Sequence, residues 1–408
     1  LAEESLVFDL AFSASPTCAP SRSALYTGLF PFRNGAHANH SLVRDGLRSW
    51  PHYFQELGYR VVLAGKTHIG PREVFPFEYL PESNIMPPGK NHVLWTDLGI
   101  EAIVRLLKEH DRAQPLCLIV CSHSPHTIWP PADGYRPADL VLPPYMLDTP
   151  ETRRARARYL TDVTWMDSQV GQVRAALQEH GYANNTLFMY AADQGAQWPF
   201  SKWSLYDLGI RVPLIIHWPG HVRPGRTRAM VSLIDLLPTC IEVAGGTPPE
   251  DIDGRSFLRV LRGQTDRHRE VTFASHTGDG KMNRAPMRCI RTERYKYILN
   301  LAPEIEYTTH ISKGNSATEY WASWVRLAEH DERAATVVRR YRHRPPEEFY
   351  DLEADPYEEN NLIDAPEHRE RIVQLREQLK AWRLQQGEDL DRVPMPEDAR
   401  QGPLKYAG

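Results

Sequence analysis

Cys18 lies in the first of several short segments in which reactive side chains gather. It stands in SPTCAPSRSALYTG, where Pro20, Ser21 and Arg22 follow it as a helix-like run begins. The N-terminus of a helix carries a positive potential, which favours an anionic group at this position. For an isolated cysteine, a buried and inert thiol would be the preferred interpretation.

Lysine and histidine side chains follow the next two predicted strands. Lys66 and His68 lie at i and i+2 in LAGKTHIGP, so on an extended backbone both point to the same side. His126 follows a proline in CSHSPHTIWPP, with His123 as a weaker neighbour. Such side chains can contact an anion or transfer a proton, although on a plain surface they would be unremarkable.

A further segment combines acidic, amide and cationic side chains. Asp193 and Gln194 follow a buried strand in MYAADQGAQ, and Lys202 lies eight residues beyond Gln194. A carboxylate and an amide oxygen are hard ligands that suit Ca²⁺ or Mg²⁺. Because ligands of α/β sheets bind at the carboxyl ends of the strands, we expect all these segments to meet at one edge.

Taken in order, these segments resemble the formylglycine-dependent sulfatases of the alkaline-phosphatase-like superfamily. The string C-x-P-S-R followed by S-x-L-x-T-G matches at every diagnostic position, and GKTH, DQG and GIRVP follow in the family's order. FYDLEADPYEENNL resembles the closing motif of the family, so the resemblance covers nearly the whole chain. The glutamine of DQG replaces the family's asparagine and keeps an amide oxygen on a longer arm.

The resemblance implies a nucleophile made from Cys18. In the family, a separate maturation enzyme oxidises this cysteine to formylglycine, whose hydrate attacks sulfate at a divalent cation. Ca²⁺ is the first expectation for that cation and Mg²⁺ the second. Arg22 would hold the hydrate near the metal. Asp193 and Gln194 would bind the cation together with the group formed at Cys18.

The same resemblance implies roles for the remaining cationic and imidazole side chains. Lys66 would bridge sulfate and nucleophile, and His68 would hydrogen-bond the hydrate. His126 would contact the ester oxygen and protonate the leaving group, as a general acid does. Lys202 would neutralise a sulfate oxygen opposite His126. The implied partners are a sulfated saccharide and the formylglycine-generating, or another sulfatase-maturing, enzyme.

The resemblance is incomplete before Cys18. The family begins with a strand followed by adjacent aspartates, which supply two further metal ligands, whereas Asp9 in VFDLAF has no acidic neighbour. One interpretation is that the sequence is truncated relative to the natural protein. The other is that this copy binds metal poorly. Every active-site element of the family that follows Cys18 is present, and this favours truncation.

The C-terminal part suggests a substrate class. REVTFASH and APMRCIRTERYKYILNL resemble the sulfamidase branch, the N-sulfoglucosamine sulfohydrolases, which cleave the N-sulfate of glucosamine in heparin-like chains. His276 and Arg288 would then reach anionic groups of the sugar, and an ordinary role within a sheet is an equal alternative. Other interpretations are an O-sulfatase, a phosphate or phosphonate monoester hydrolase of the superfamily, and an inactive carbohydrate-binding pseudoenzyme.

The elements that must position these residues alternate between strands and helices. Apolar runs at 59–64, 115–121, 187–191 and 212–217 predict buried strands, and helical periodicity appears near 47–57, 100–107, 153–180 and 232–243. This pattern predicts an α/β domain over residues 1–268, with a large, mixed, mostly parallel sheet between helices that lacks the family's first strand. More closely spaced strands predict a smaller C-terminal α+β domain over residues 269–408.

Composition and charge narrow the class of protein. The net charge of −4 gives no overall attraction to nucleic acid, and no apolar run approaches a membrane span. An odd number of cysteines, five, argues against a disulfide framework. The chain begins without Met and without the features of a signal peptide, so a periplasmic, secreted or cytoplasmic location stays open. The oligomeric state is open as well.

Overall fold

The computed structural model describes residues 1–90, 93–312 and 318–404. The strands are β1 (Leu6–Phe8), β2 (Ala11–Phe12), β3 (Arg60–Gly65), β4 (Glu78–Leu80), β5 (Asn84–Ile85), β6 (Asp97–Leu98), β7 (Leu116–Cys121), β8 (Phe188–Ala191), β9 (Leu214–His217), β10 (Gly225–Thr227), β11 (Val231–Ser232), β12 (Val271–His276), β13 (Met287–Thr292), β14 (Tyr295–Asn300) and β15 (Glu347–Asp351). The helices are α1 (Cys18–Thr27), α2 (Pro31–Asn34), α3 (Trp50–Glu56), α4 (Ile100–Glu109), α5 (Pro150–Glu179), α6 (Asp207–Ile210), α7 (Leu236–Val243), α8 (Leu258–Leu261), α9 (Glu319–Leu327), α10 (Glu332–Arg342) and α11 (Arg369–Gln385).

The N-terminal part is built on mixed, mostly parallel strand pairing, as predicted. In the three-stranded sheet β4-β3-β7, the central strand β3 pairs in parallel with both neighbours. In the four-stranded sheet β10-β1-β9-β8, β1 pairs in parallel with β10, and β9 is antiparallel to both β1 and β8. The predicted α/β class is confirmed.

Strands β7 and β8 end their respective sheets within the described part of the chain. Leu118 of β7 and Phe188 of β8 pack into one apolar cluster with residues of α4 and α5. On the opposite face, Ile119 and Met189 pack into another cluster with residues of α3 and α7. The two strands therefore lie between the same helical layers, so the loops that follow them reach the same region.

Helix α5 confirms the prediction of a long helix near 153–180. Thr149 caps it, because its hydroxyl accepts a hydrogen bond from the backbone N–H of Thr152 at 3.1 Å. Val173 and Ala176 are buried against α4 and the sheet, whereas Val163 of the same predicted stripe is half-buried. Among the described residues, no helix is both long enough and apolar enough to cross a bilayer.

An antiparallel sheet occupies the C-terminal part. Its order is β12-β13-β14-β15, and it begins at Val271, close to the predicted boundary at 268/269. Leu375 and Trp382 of α11 pack onto this sheet. Phe12 and Ile298, from opposite sides of the boundary, share one apolar cluster. The division into two domains stays a prediction, since the core is continuous across it.

Buried charges connect the C-terminal sheet to the loop that follows β8. The Lys296 ammonium contacts Asp207 at 2.5 Å and Glu358 at 2.8 Å, and Arg291 reaches the other oxygen of Asp207 at 3.0 Å. Burial by itself raises the pKa of Asp207, but Lys296 and Arg291 outweigh it and hold that pKa below its usual range. These ion pairs therefore hold the segment between Lys202 and Asp207 against the C-terminal sheet.

Candidate active site

The predicted reactive residues converge because each follows a strand whose carboxyl end faces the same region. Cys18 lies just after β2, and Lys66 just after β3. His126 follows β7 and Asp193 follows β8. The sequence-based expectation of one common edge is therefore what the structure shows for these segments.

Cys18 is the first residue of α1 and is only 2% exposed. Lys66 Nζ lies 3.5 Å from its Sγ, and Gln194 Nε2 lies 3.3 Å from it. Burial alone would raise the pKa of the Cys18 thiol, but the ammonium groups of Lys202 and Lys66, together with His126 and His68, outweigh this and hold the pKa well below its usual value. The pocket around this position is therefore built to hold negative charge.

Arg22 lies one helical turn after Cys18, on the same side of α1. Its Nε donates to Asp193 Oδ2 at 2.8 Å, and its Nη1 donates to the backbone oxygen of Lys66 at 3.3 Å. Burial lowers the pKa of the guanidinium, but Asp193, Cys121 and Tyr26 together outweigh burial and the net shift is upward. Arg22 thus links three of the loops that carry reactive residues.

The loop after β3 departs from the extended conformation expected for it. Lys66 is 4% exposed and His68 is fully buried, yet His68 adopts a φ of 54°, in the left-handed region. Both side chains still face Cys18: Lys66 Nζ lies 3.5 Å from Sγ, and His68 lies close enough to lower the pKa of the thiol. The prediction of extended backbone is wrong at His68, because the chain turns there into the left-handed region and brings the ring against His40.

His126 and Lys202 form a second pair on the other side of Cys18. Lys202 Nζ lies 3.1 Å from His126 Nε2, and His126 Nδ1 lies 2.5 Å from the backbone oxygen of Thr127. A carbonyl oxygen only accepts, so Nδ1 carries the proton and Nε2 accepts from the ammonium. Burial, reinforced by Lys202, lowers the pKa of His126 to about 4. His123, the weaker candidate, instead contacts Asn84 Oδ1 at 2.8 Å.

Two oxygen-bearing side chains fit a cation next to Cys18. Asp193 presents a carboxylate that is 21% exposed. The Oε1 atom of Gln194 is buried and has no hydrogen-bond partner among residues 1–90, 93–312 and 318–404. A hard cation would satisfy that oxygen, so both residues fit Ca²⁺ as two of the six to eight ligands it takes. Within the described residues, no cluster of three or more His, Cys, Asp and Glu side chains forms a metal site by itself.

Asp9, the only acidic residue near Cys18 in sequence other than the terminal glutamates, lies elsewhere. Its carboxylate pairs with the exposed Arg226, and its backbone oxygen accepts from Arg211 at 2.8 Å. It therefore adds nothing to the ligands at Asp193.

Arg288 and His276 are not brought into this cluster. Arg288 is fully buried and makes a bidentate pair with Glu388, at 2.9 Å for both bonds. His276 is 1% exposed, and its Nε2 lies 2.8 Å from Asn283 Oδ1. These contacts favour the alternative in which both residues are ordinary members of the C-terminal sheet.

Several residues that hold the loops together were not predicted. The Ser21 hydroxyl donates to the backbone oxygen of Asp193 at 2.5 Å, and Asn39 Oδ1 accepts from the backbone N–H of Ala19 at 3.3 Å. At Gly195 a Cβ would lie 1.9 Å from the backbone oxygen of Leu208, so this position requires glycine. The serine was visible within the C-x-P-S-R string, whereas Asn39 carries no local signal.

Comparison with known proteins agrees with this arrangement. Residues 1–246 match the family described as Sulfatase, and residues 195–310 match the family described as N-sulphoglucosamine sulphohydrolase, C-terminal. An Ulvan-active sulfatase of Formosa agariphila is 32% identical over 396 residues, covering 96% of this chain and 75% of the relative. The N-sulphoglucosamine sulphohydrolase of Homo sapiens is 28% identical over 435 residues, covering 94% and 84%.

A solved structure gives the same picture of the fold. It is described as a complex with its substrate, D-glucosamine-2-N,6-O-disulfate, and it superposes with a TM-score of 0.67 at 19% identity. The match covers 95% of this chain and 92% of that one. The fold around the Cys18 cluster is therefore the alkaline-phosphatase-like one.

Proposed function

The chain belongs to the sulfatase family, a family of hydrolases of sulfate esters and sulfamates, and on that premise we propose that it removes sulfate from a sulfated carbohydrate. One observation carries the proposal: Lys66, Gln194 and the Lys202–His126 pair surround Cys18, from the three loops that follow β3, β7 and β8. Cationic and amide groups fixed around one buried position would stabilise the charge of a bound sulfate without further rearrangement.

We propose that Cys18 is converted to formylglycine and that its hydrate supplies the attacking hydroxyl. Asp193 and Gln194 would hold a divalent cation, Ca²⁺ in first place, which when bound withdraws charge from a sulfate oxygen. Arg22 keeps the Asp193 carboxylate in place and lies within one turn of the nucleophile. Lys66 would contact both sulfate and nucleophile, in keeping with its 3.5 Å distance from Cys18 Sγ.

The leaving group would meet the Lys202–His126 pair. In the resting arrangement the proton of His126 is on Nδ1, bonded to the Thr127 carbonyl, so the proton nearest to a leaving oxygen or nitrogen is the one that Lys202 donates to His126 Nε2. We infer that the pair acts as a unit: Lys202 supplies the proton and charge, and His126 directs it. This modifies the expectation that His126 alone is the acid.

For the substrate we propose N-sulfated glucosamine of heparin-type chains first and O-sulfated polysaccharide second. The match of residues 195–310 to the sulphohydrolase C-terminal family supports the first. The 32% identity to an ulvan-active enzyme supports the second. Phosphate or phosphonate esters and the pseudoenzyme remain alternatives, to be distinguished by the same assay.

The test combines mass spectrometry with substrate hydrolysis, on protein produced together with a maturation enzyme. The peptide that contains Cys18 should be lighter by the difference between CH₂SH and CHO, and sulfate should be released from N-sulfoglucosamine or from ulvan fragments. Cys18→Ala should lose both signals, whereas Cys117→Ala, which removes a half-buried free thiol elsewhere, should keep them. An unmodified Cys18 under these conditions would refute the formylglycine mechanism.

Cation binding provides a separate measurement. Calcium titrated into the matured protein should bind at one site, and Asp193→Asn should weaken it. A protein that holds no cation and releases neither sulfate nor phosphate would be the carbohydrate-binding pseudoenzyme. Release of phosphate or phosphonate in place of sulfate would instead identify the phosphoryl alternative.

A further inference from the structure

A line of polar side chains leads from His68 away from the nucleophile. His68 Nε2 lies 2.8 Å from His40 Nδ1, and the two ring centroids are 4.7 Å apart. His40 Nε2 in turn lies 3.4 Å from Asp279 Oδ1. The three residues come from separate segments: the loops after α2, after β3 and after β12. Their alignment is therefore a product of the tertiary fold.

Asp279 is anchored by the loops around the site. It is 7% exposed, and its Oδ2 accepts from Asn39 Nδ2 at 2.9 Å and from Trp203 Nε1 at 3.1 Å. Asn39 Nδ2 also lies 3.1 Å from His40 Nε2, while Asn39 Oδ1 accepts from the backbone that follows Cys18. Trp203 directly follows Lys202. The carboxylate thus contacts the loop that carries Lys202 directly, reaches the residue after Cys18 through Asn39, and reaches His68 through His40.

The backbone conformation of His40 and His68 indicates that the surrounding structure holds the two residues in place. His40 has a φ of 63° and His68 a φ of 54°. For residues other than glycine, the left-handed region costs on the order of 1 kcal/mol or more each. The surrounding hydrogen bonds hold both residues there, and in this conformation the two rings contact each other with an angle of 53° between their planes.

A histidine ring presents two nitrogens, and what binds one of them decides which carries the proton and how the ring is turned. Nε2 of His68 lies against His40, and the same ring lies close enough to Cys18 to lower the pKa of its thiol, so a partner that fixes the ring also fixes what it presents to the nucleophile. We propose that His40 and Asp279 are positioning residues that hold His68 in one ring orientation and one tautomer toward the nucleophile formed at Cys18. This inference rests on the proposed function, which it deepens.

Kinetics on the matured protein test the role in turnover. His40→Leu should lower kcat by about 10- to 100-fold with little change in KM, the size seen when an outer hydrogen-bond partner is lost. His40→Asn should recover part of that loss, since asparagine tolerates a positive φ and places a polar atom near the position of Nδ1. His37→Asn is the matched control, because His37 lies in the same loop and its Nδ1 contacts Thr277 instead.

A second measurement does not depend on activity. Nitrogen-15 NMR of histidine-labelled protein should show His68 as a single tautomer in the wild type and as a mixture in Asp279→Asn and His40→Leu. Unchanged His68 signals in both variants, or an equal loss of kcat in His37→Asn, would overturn the proposal. If the wild type released no sulfate, the proposed function would fail, while the NMR comparison would still decide whether His40 and Asp279 position His68.

Discussion

Replacing Arg288 by methionine separates a structural role from a substrate-binding one. Its guanidinium is fully buried and donates two bonds to Glu388, along with bonds to the backbone oxygens of His276 at 2.9 Å and Met287 at 2.7 Å. A methionine side chain extends to a similar length, but it carries neither a charge nor a hydrogen-bond donor. We expect Arg288→Met to destabilise the protein and to leave sulfate hydrolysis unchanged.

The size of the effect follows from what remains around Glu388. Breaking a buried ion pair by removing one partner costs about 3–5 kcal/mol, because the other charge is left without compensation. Glu388 keeps a second partner, Arg383, whose Nη2 lies 3.1 Å from it. We therefore expect the lower end, about 3 kcal/mol, which for a chain of this length corresponds to a fall in Tm of roughly 3–4 °C.

Thermal unfolding and steady-state kinetics on the same preparations provide the assay. Arg284→Met is the matched control, since Arg284 pairs with Glu397 in solvent, with side chains 44% and 58% exposed. Exposed pairs contribute about 0–1 kcal/mol, so its Tm should barely move. An unchanged Tm for Arg288→Met, together with a KM raised tenfold or more, would refute the structural interpretation and return Arg288 to the substrate site.

Other parts of the structure allow three shorter predictions. Gly195→Ala should lower kcat at least tenfold, because its Cβ would lie 1.9 Å from the Leu208 oxygen and displace the loop of Asp193, whereas Gly171→Ala in α5, with open space around it, should not. Lys202→Met should raise the pKa of His126 above about 4, as seen in an NMR titration, because Lys202 helps to lower it; no upward shift would contradict the contact. Burial lowers the pKa of His276 to about 4 in the folded protein, whereas in the unfolded chain it is about 6.5. Between these two pH values only the unfolded chain binds the proton. The free energy of unfolding therefore falls by up to about 1.4 kcal/mol for each pH unit as pH falls from about 6.5 to 4. Urea unfolding of His276→Asn should therefore depend less on pH in this range, and an unchanged slope would count against it.

The sequence predicted most of the elements that carry the site. Helices α4 and α5 have clear helical periodicity, and β3, β7 and β8 are apolar runs bounded by loops. The residues after these strands are chemically distinctive, so their meeting at one edge followed from the rule for α/β sheets. Strands β1 and β10 were not predicted, since each spans only three residues and leaves no period to detect.

What could not be predicted lies in contacts between distant segments. Arg288 and Glu388 are a hundred positions apart, and a sequence pattern does not reveal which buried charges will pair. The same holds for His40 and Asp279, which meet only because α2 and β12 pack near the loop of His68. The turn at His68 into positive φ was equally missed, since the residue at that position is neither glycine nor asparagine.

The end strands β7 and β8 have a consequence for how the protein behaves at high concentration. Each carries, within the described residues, one row of backbone N–H and C=O groups outside any strand ladder. Where such a row opens to solvent, it is a template for another extended chain. Since His126 and Asp193 lie within five residues of the ends of these strands, intermolecular pairing here would distort the loops of the candidate active site first. Aggregation and inactivation should therefore begin at the same place and proceed together.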